Sequence, residues 1–155
     1  MTAPAEKRSV PRAPKEQRHR AREAAVQMLY QWEVGRLSMA DIRQTFWAHD
    51  DETGEPLNAD LRGFAMRLAD GVAATVADLD PMIAQAAEHW RIERMNVLDR
   101  LILRLAVYEF LNEPDTHAKV IINEALELAR SFSGDEAVRF INGILDGIRR
   151  TLQRE

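Results

Sequence analysis

Apolar side chains recur every three or four residues along most of this chain, and in one stretch they recur on every side. Between Val97 and Leu111, in VLDRLILRLAVYEFL, Leu98, Leu101 and Leu105 fall together on a helical wheel, with Leu103, Val107 and Phe110 roughly opposite. A helix that is apolar all round is a buried one. Asp99, Arg100, Arg104 and Glu109 interrupt the run, which is also shorter than the ~20 mostly apolar residues that crossing a bilayer requires. The stretch therefore predicts the core helix of a folded domain. Its charges Arg104 and Glu109 read as internal pairs that fix the packing.

The remaining periodicity predicts helices that cover this one. From Lys15, the residues Ala21, Ala25, Met28, Leu29 and Trp32 form one face, and Gly35 is placed to end the helix. Ser38 and Asp41 resemble a capping box ahead of Met39, Ile42, Phe46 and Trp47. Residues 49–57, HDDETGEPL, read as an acidic turn. Asn58 then opens a long helix through Leu61, Phe64, Leu68, Val72, Val76 and Leu79. Asp80 followed by Pro81 predicts a new helix start, running toward Trp90. After the central helix and an NEPDT turn capped by Asp115 or Thr116, one apolar face runs from Ala118 to Phe132. This leaves Asn123, Glu127 and Arg130 outside. Ser133 and Glu136 predict a capping box for the last helix, whose stripe is Val138, Ile141, Leu145, Ile148 and Leu152. The expectation is an all-α fold of about seven helices with short antiparallel connections and no sheet.

Length and composition narrow this picture without changing it. A chain of 155 residues is long enough to bury a core as one domain, and the absence of cysteine excludes disulfides, thiol catalysis and Cys-ligated metal sites. No apolar segment follows the N-terminal charges, so a secretion signal is not expected and the cytoplasm is the expected compartment. Charge is divided unevenly. Residues 1–22 carry seven Lys or Arg against two Glu, which leaves the remaining chain at −9 out of a net charge of −4. With Pro4, Pro11 and Pro14, residues 1–14 predict a flexible basic arm, and residues 15–155 the helical domain. A basic arm on an acidic body suits a polyanion at one end and a basic protein elsewhere; a solubilising tail is the other reading.

Candidate chemistry is sparse. His49 with Asp50, Asp51 and Glu52 has the composition of a metal site, but it sits in a Gly/Pro turn without a second ligand at helical spacing, so a solvated loop is the expectation. No phosphate-binding Gly loop, nucleophile elbow or HExxH occurs, and neither an enzyme nor a cofactor is expected. The more informative constellation is the basic start of the first helix together with aromatic residues near the last turn. Single-stranded nucleic acid is held by Arg and Lys on its phosphates and by flat side chains on its bases. Phe132 and Phe140 could supply such platforms, but taken alone each reads as a core residue first. The spacing of Gly143 and Gly147 would let a neighbouring helix come close, or is simply tolerated.

Three blocks, RHRAREAAVQMLYQWEVG, DRLILRLAVYEFL and KVIINEALELARSFSGDEAVRFINGILDGI, resemble the NusB family of transcription antitermination factors in order and spacing, over about residues 17–152. The resemblance implies seven helices in two small bundles packed across each other. It also implies a partnership with NusE, a ribosomal small-subunit protein. The pair binds single-stranded boxA RNA of nascent ribosomal RNA and joins the elongating RNA polymerase with other Nus factors to suppress termination. Carried over by position, the RNA contacts are Arg18, Arg20, Arg22, Gln27, Phe132, Arg139 and Phe140, and the partner-facing residues are Tyr108, Glu109 and Glu113. His19 stands where an arginine is common in relatives, and an unperturbed His is mostly neutral at pH 7. Two matters stay open at this level: whether a homodimer forms, and whether the chain is instead a protein-interaction scaffold with no direct RNA contact. No membrane partner and no cofactor are implied.

Overall fold

The computed structural model describes residues 14–48, 56–88 and 90–155. Among these, six α-helices account for nearly all the regular structure: α1 (Pro14–Glu33), α2 (Met39–Thr45), α3 (Ala59–Ala86), α4 (Val97–Asn112), α5 (Ala118–Phe132) and α6 (Asp135–Leu152), with a 3-10 turn at Ile92–Arg94 before α4. The expected acidic turn lies mostly outside the described residues. So do nearly all of the basic arm and the whole of the His49 cluster.

Helix α4 is the core, as its all-round apolarity requires. Leu101, Ile102, Leu103, Leu105, Val107 and Phe110 are all buried, and α4 packs on α1, α3, α5 and α6. α1, α2 and α3 touch one another, while α4, α5 and α6 form the second group. α5 and α6 pack on each other, and Ile121, Leu128, Ile141 and Leu145 on their apolar faces are buried. Truncating one such buried Leu or Ile to Ala costs about 2–5 kcal/mol.

Local signals were honoured unevenly. Ser38 Oγ accepts from Asp41 N–H at 3.1 Å and Asn58 Oδ1 from Leu61 N–H at 2.9 Å, so both expected caps form. The helix start expected at Asp80–Pro81 does not. α3 runs through Pro81, and the residue that leaves helical geometry is Thr75 (φ −122°, ψ 17°), whose hydroxyl donates to the Gly71 carbonyl at 2.6 Å. The Asp80 carboxylate is not free to cap, because Arg104 holds both its oxygens at 2.7 and 2.8 Å. With the kink counted as a division, α3 supplies two of the seven expected segments.

Arg104 also reaches Glu33 at 3.2 Å and Arg100 reaches it at 3.0 Å, so one ionic group ties the ends of α1 and α3 to α4. The other two caps are displaced. α6 starts at Gly134 (φ 119°), a backbone suited to glycine, with no side-chain cap from Ser133. α5 starts at His117, one residue beyond Thr116, likewise without one. At the end of α1 the left-handed residue is Arg36, not Gly35; Gly35 serves by lacking a Cβ, which would come within 2.6 Å of the Gln31 carbonyl oxygen.

A close helix approach does occur, at a glycine the pattern did not single out. A Cβ on Gly71 of α3 would meet the Tyr108 ring of α4 at 2.1 Å, whereas Gly143 and Gly147 face open space. Tyr108, expected to face a partner, therefore lays its ring over Gly71 and is only half-exposed.

Candidate nucleic-acid interface

The start of α1 is amphipathic, and its cations divide accordingly. Ala21, Ala25, Val26, Met28 and Leu29 are buried, and Arg22 lies one turn before Val26 on the same inward face. Arg22 is 2% exposed, and its guanidinium forks onto Glu109 of α4 at 2.7–3.1 Å, with Glu124 of α5 at 3.8 Å. This corrects two expectations from the resemblance. Arg22 has no surface on which to meet a phosphate, and Glu109 none on which to meet a partner. The reading of Glu109 as an internal pair is the one the geometry fits. Burial pushes the Glu109 carboxyl above its ordinary value, and Arg22 opposes this only in part.

One turn earlier, Arg18 clears the edge of the core. It is exposed, and its guanidinium lies 5.8 Å from the centre of the Phe64 ring on α3, which Arg67 approaches at 5.2 Å. Arg67 in turn pairs with Glu113 at 2.9 Å, where Glu113, the third residue expected to face a partner, is partly exposed. Lys15, His19 and Arg20 line a shallow groove with Glu16, Glu23, Glu124 and Glu127. His19 Nδ1 is 2.7 Å from Glu124 Oε2, and Nε2 is 3.4 Å from Glu23 Oε1. The Glu124 hydrogen bond raises the His19 pKa above 6.5 despite burial. Burial alone would raise Glu124, but the bond from His19 and the charges of Arg22 and His19 hold it below its usual range. His19 is thus a proton carrier biased toward its charged form.

The aromatic residues lie at the end of α5, in α6 and in the α3–α4 connection. Glu127 lines the α1 groove, and Phe132 lies five residues on, about 7.5 Å along the axis. Phe132 is half-buried at the last position of α5, and the chain turns at Gly134 into α6. Arg139 projects outward. Phe140 packs against Trp90, ring centres 5.7 Å apart at 72°. Trp90 is 56% exposed and is the functional candidate that the sequence reading missed, since it appeared there only as a helix end. Below the pair is a cleft of about 290 Å³ lined by Trp90, Arg94, Asn96, Asp99, Glu136 and Phe140 among others. Gln27 is exposed on α1, on the side that also carries the 41% exposed Tyr30. The described residues include no group of His, Asp and Glu arranged to hold a metal ion.

Fold and surface together define the class: an all-α protein in two helical groups, with cations from α1 at the surface, Trp90 exposed in the α3–α4 connection, and Phe140 of α6 packed between it and the core. The profile of the NusB family matches residues 19–150, and the chain belongs to that family. The transcription antitermination protein NusB of Koribacter versatilis is 44% identical over 138 residues, 89% of this chain and 92% of the relative. That of Desulforudis audaxviator is 44% identical over 128 residues, 83% and 89% of the two chains. Among solved structures, NusB of T. maritima superposes with a TM-score of 0.74 at 34% identity, covering 86% of this chain and 90% of its own. The NusB of a complex of the antitermination factors NusB and NusE with dsRNA shares the fold, with a TM-score of 0.75 at 24% identity over 88% and 98% of the chains.

Proposed function

We propose that this chain is a non-catalytic transcription antitermination factor that binds boxA RNA of nascent ribosomal transcripts together with NusE, and joins the elongating RNA polymerase with other Nus factors. The observation that supports the reading is the pairing of surface cations with an exposed ring. Lys15, Arg18 and Arg20 stand at the α1 start, where Lys15 and Arg20 line a groove shared with α5, while α5 ends at Phe132 and α6 carries Arg139 and the Phe140 that packs on exposed Trp90. Guanidinium groups hold phosphates and the rings stack on bases, so a single strand is favoured over a duplex whose bases are already paired. The related complex of NusB and NusE with dsRNA supports NusE and RNA as partners. No helix among the described residues is long and apolar enough to cross a membrane, and the proposed setting is the cytoplasm, where transcripts are made.

The test is an anisotropy titration of labelled boxA RNA at several salt concentrations, with and without NusE. Arg20→Ala is expected to weaken binding across sequences and reduce the salt slope by about one per lost phosphate contact, and Phe140→Ala to weaken binding with the slope unchanged. Retention of NusE with no RNA contact at any salt would establish the scaffold reading instead.

A further inference from the structure

The turn between α3 and α4 holds two cations that the fold does not use. Arg94 N–H donates to the Arg91 carbonyl at 2.9 Å, which closes the 3-10 turn, and Arg100 of α4 donates to the Ile92 carbonyl at 3.3 Å. Ile92 packs on the core and Met95 is buried, so the turn is tied down from within. Arg91 and Arg94 are exposed, and among the described residues neither side chain has a hydrogen-bond or carboxylate partner. The next two arginines, Arg100 and Arg104, are by contrast bound to Glu33 and Asp80. Trp90 and Arg94 line two hollows: the cleft of about 290 Å³ shared with Phe140, and a second of about 460 Å³ shared with Arg91 and Glu93. More than half of Trp90 is in solvent, which forgoes the stabilisation that burying so large a ring would give.

We infer that this turn is a second contact for single-stranded RNA, in addition to the α1 cations, with Trp90 stacking on an unpaired base and Arg91 and Arg94 holding neighbouring phosphates. The inference rests on the RNA-binding reading above and adds two cations outside the positions that the family resemblance carries over. Guanidiniums suit phosphate oxygens, and a ring open to solvent suits a base. The carboxylates Asp99 and Glu136 line the smaller cleft, so the phosphates are assigned to the larger hollow, where two arginines outweigh Glu93. Trp90 is the only exposed large apolar side chain of the turn, which fits one stacked base better than the contiguous apolar patch that a protein partner buries. Stacking tolerates any base, so the contact adds affinity without sequence preference.

The experiment uses the full chain and single-stranded boxA RNA, followed by anisotropy at several salt concentrations and by the protein's own tryptophan fluorescence. Of the three tryptophans, Trp32 and Trp47 are half-buried, so Trp90 is the one open to stacking. The RNA is expected to quench part of the emission. Trp90→Leu should abolish that quench and weaken binding about tenfold, while Trp90→Phe, which keeps a flat ring, should retain most of the affinity. Arg91→Gln and Arg94→Gln should each reduce the salt slope to the same extent as Arg20→Ala, with Tm unchanged because neither side chain holds the fold. A slope lowered by Arg20→Ala but kept by both turn variants would overturn the second contact while leaving the RNA-binding reading intact, and so would a quench that survives Trp90→Leu. Loss of NusE retention in the turn variants, with RNA affinity and slope unchanged, would assign the turn to the protein partner and overturn the inference. Absence of RNA binding at every salt concentration, with or without NusE, would overturn both readings.

Discussion

Arg22 and Glu109 face each other at 2.7 Å, both nearly without solvent contact, where α1 crosses α4. The pair is the hub of a chain that continues through Glu124 to His19 at the surface. The basic start of α1 is thereby anchored by one of its own arginines, and the other cations project from a fixed base.

Removing one member of this pair strands the other. Arg22→Ala is expected to lower stability by about 3–5 kcal/mol in a urea titration. Arg22→Lys keeps the charge but loses the fork, and should fall between the two. RNA titrations of Arg22→Gln, which removes the charge, should retain the parent's salt slope. A slope reduced by one, as for Arg20→Ala, would place Arg22 on the phosphates after all.

His19 makes stability depend on pH in a defined sense. Its pKa is raised in the folded state, so its contribution is complete below the ordinary value of 6.5 and is lost as pH rises through the higher folded value. Glu124 is lowered, and its contribution is lost as pH falls through its folded value. The Tm should therefore decline as pH is raised from about 6 toward 8, and His19→Gln should flatten that decline. An NMR titration of the His19 ring with a midpoint at or below 6.5 would contradict the geometry.

Arg154 is expected to matter out of proportion to its place near the end of the chain. Its guanidinium donates to the carbonyls of Phe110 at 2.9 Å, Glu113 at 2.8 Å and Thr116 at 2.9 Å, the first two at the C-terminal end of α4 and the third in the turn before α5. Beside it, Ala118 N–H donates to the Glu155 carbonyl at 3.0 Å. Arg154→Ala should cost about 2 kcal/mol and speed hydrogen exchange of the Thr116 and Ala118 amides. Exchange unchanged at both would show that the clasp is not formed in solution.

Phe64 positions Arg18. The ring carries the Arg18, Arg22 and Arg67 guanidiniums at 5.8, 5.4 and 5.2 Å, and of the three only Arg18 has no carboxylate partner among the described residues. Phe64→Leu preserves apolar volume and removes the ring face. It should weaken RNA binding by about two- to fivefold, the worth of an exposed cation–π contact. In an Arg18→Ala background the same change should do nothing further. Additive losses would assign Phe64 a role independent of Arg18.

Much of the fold could be read from single residues and their near neighbours. The burial of α4, the stripes of α5 and α6, and the caps at Ser38 and Asn58 follow from side chains within a turn or two of each other. The expectations that failed concern residues with two uses. Asp80 is a good cap in isolation, yet Arg104 claims it from α4. Arg22 reads as one more cation in a basic run, although its place one turn before Val26, and two before Leu29, was a signal of its burial. Trp90 and Phe140 are 50 positions apart in the chain, and no local pattern announces that they meet.

The sequence by itself determined which segments become helices, which of their faces turn inward, and the family to which the blocks belong, because helical period and block spacing are properties of adjacent residues. The tertiary structure decided which charges stay in water. Arg22 meets Glu109 across 87 positions and His19 meets Glu124 across 105. Whether a cation is neutralised inside or left free to hold a phosphate depends on which helix lies against it, a relation between distant residues that only the packed chain fixes.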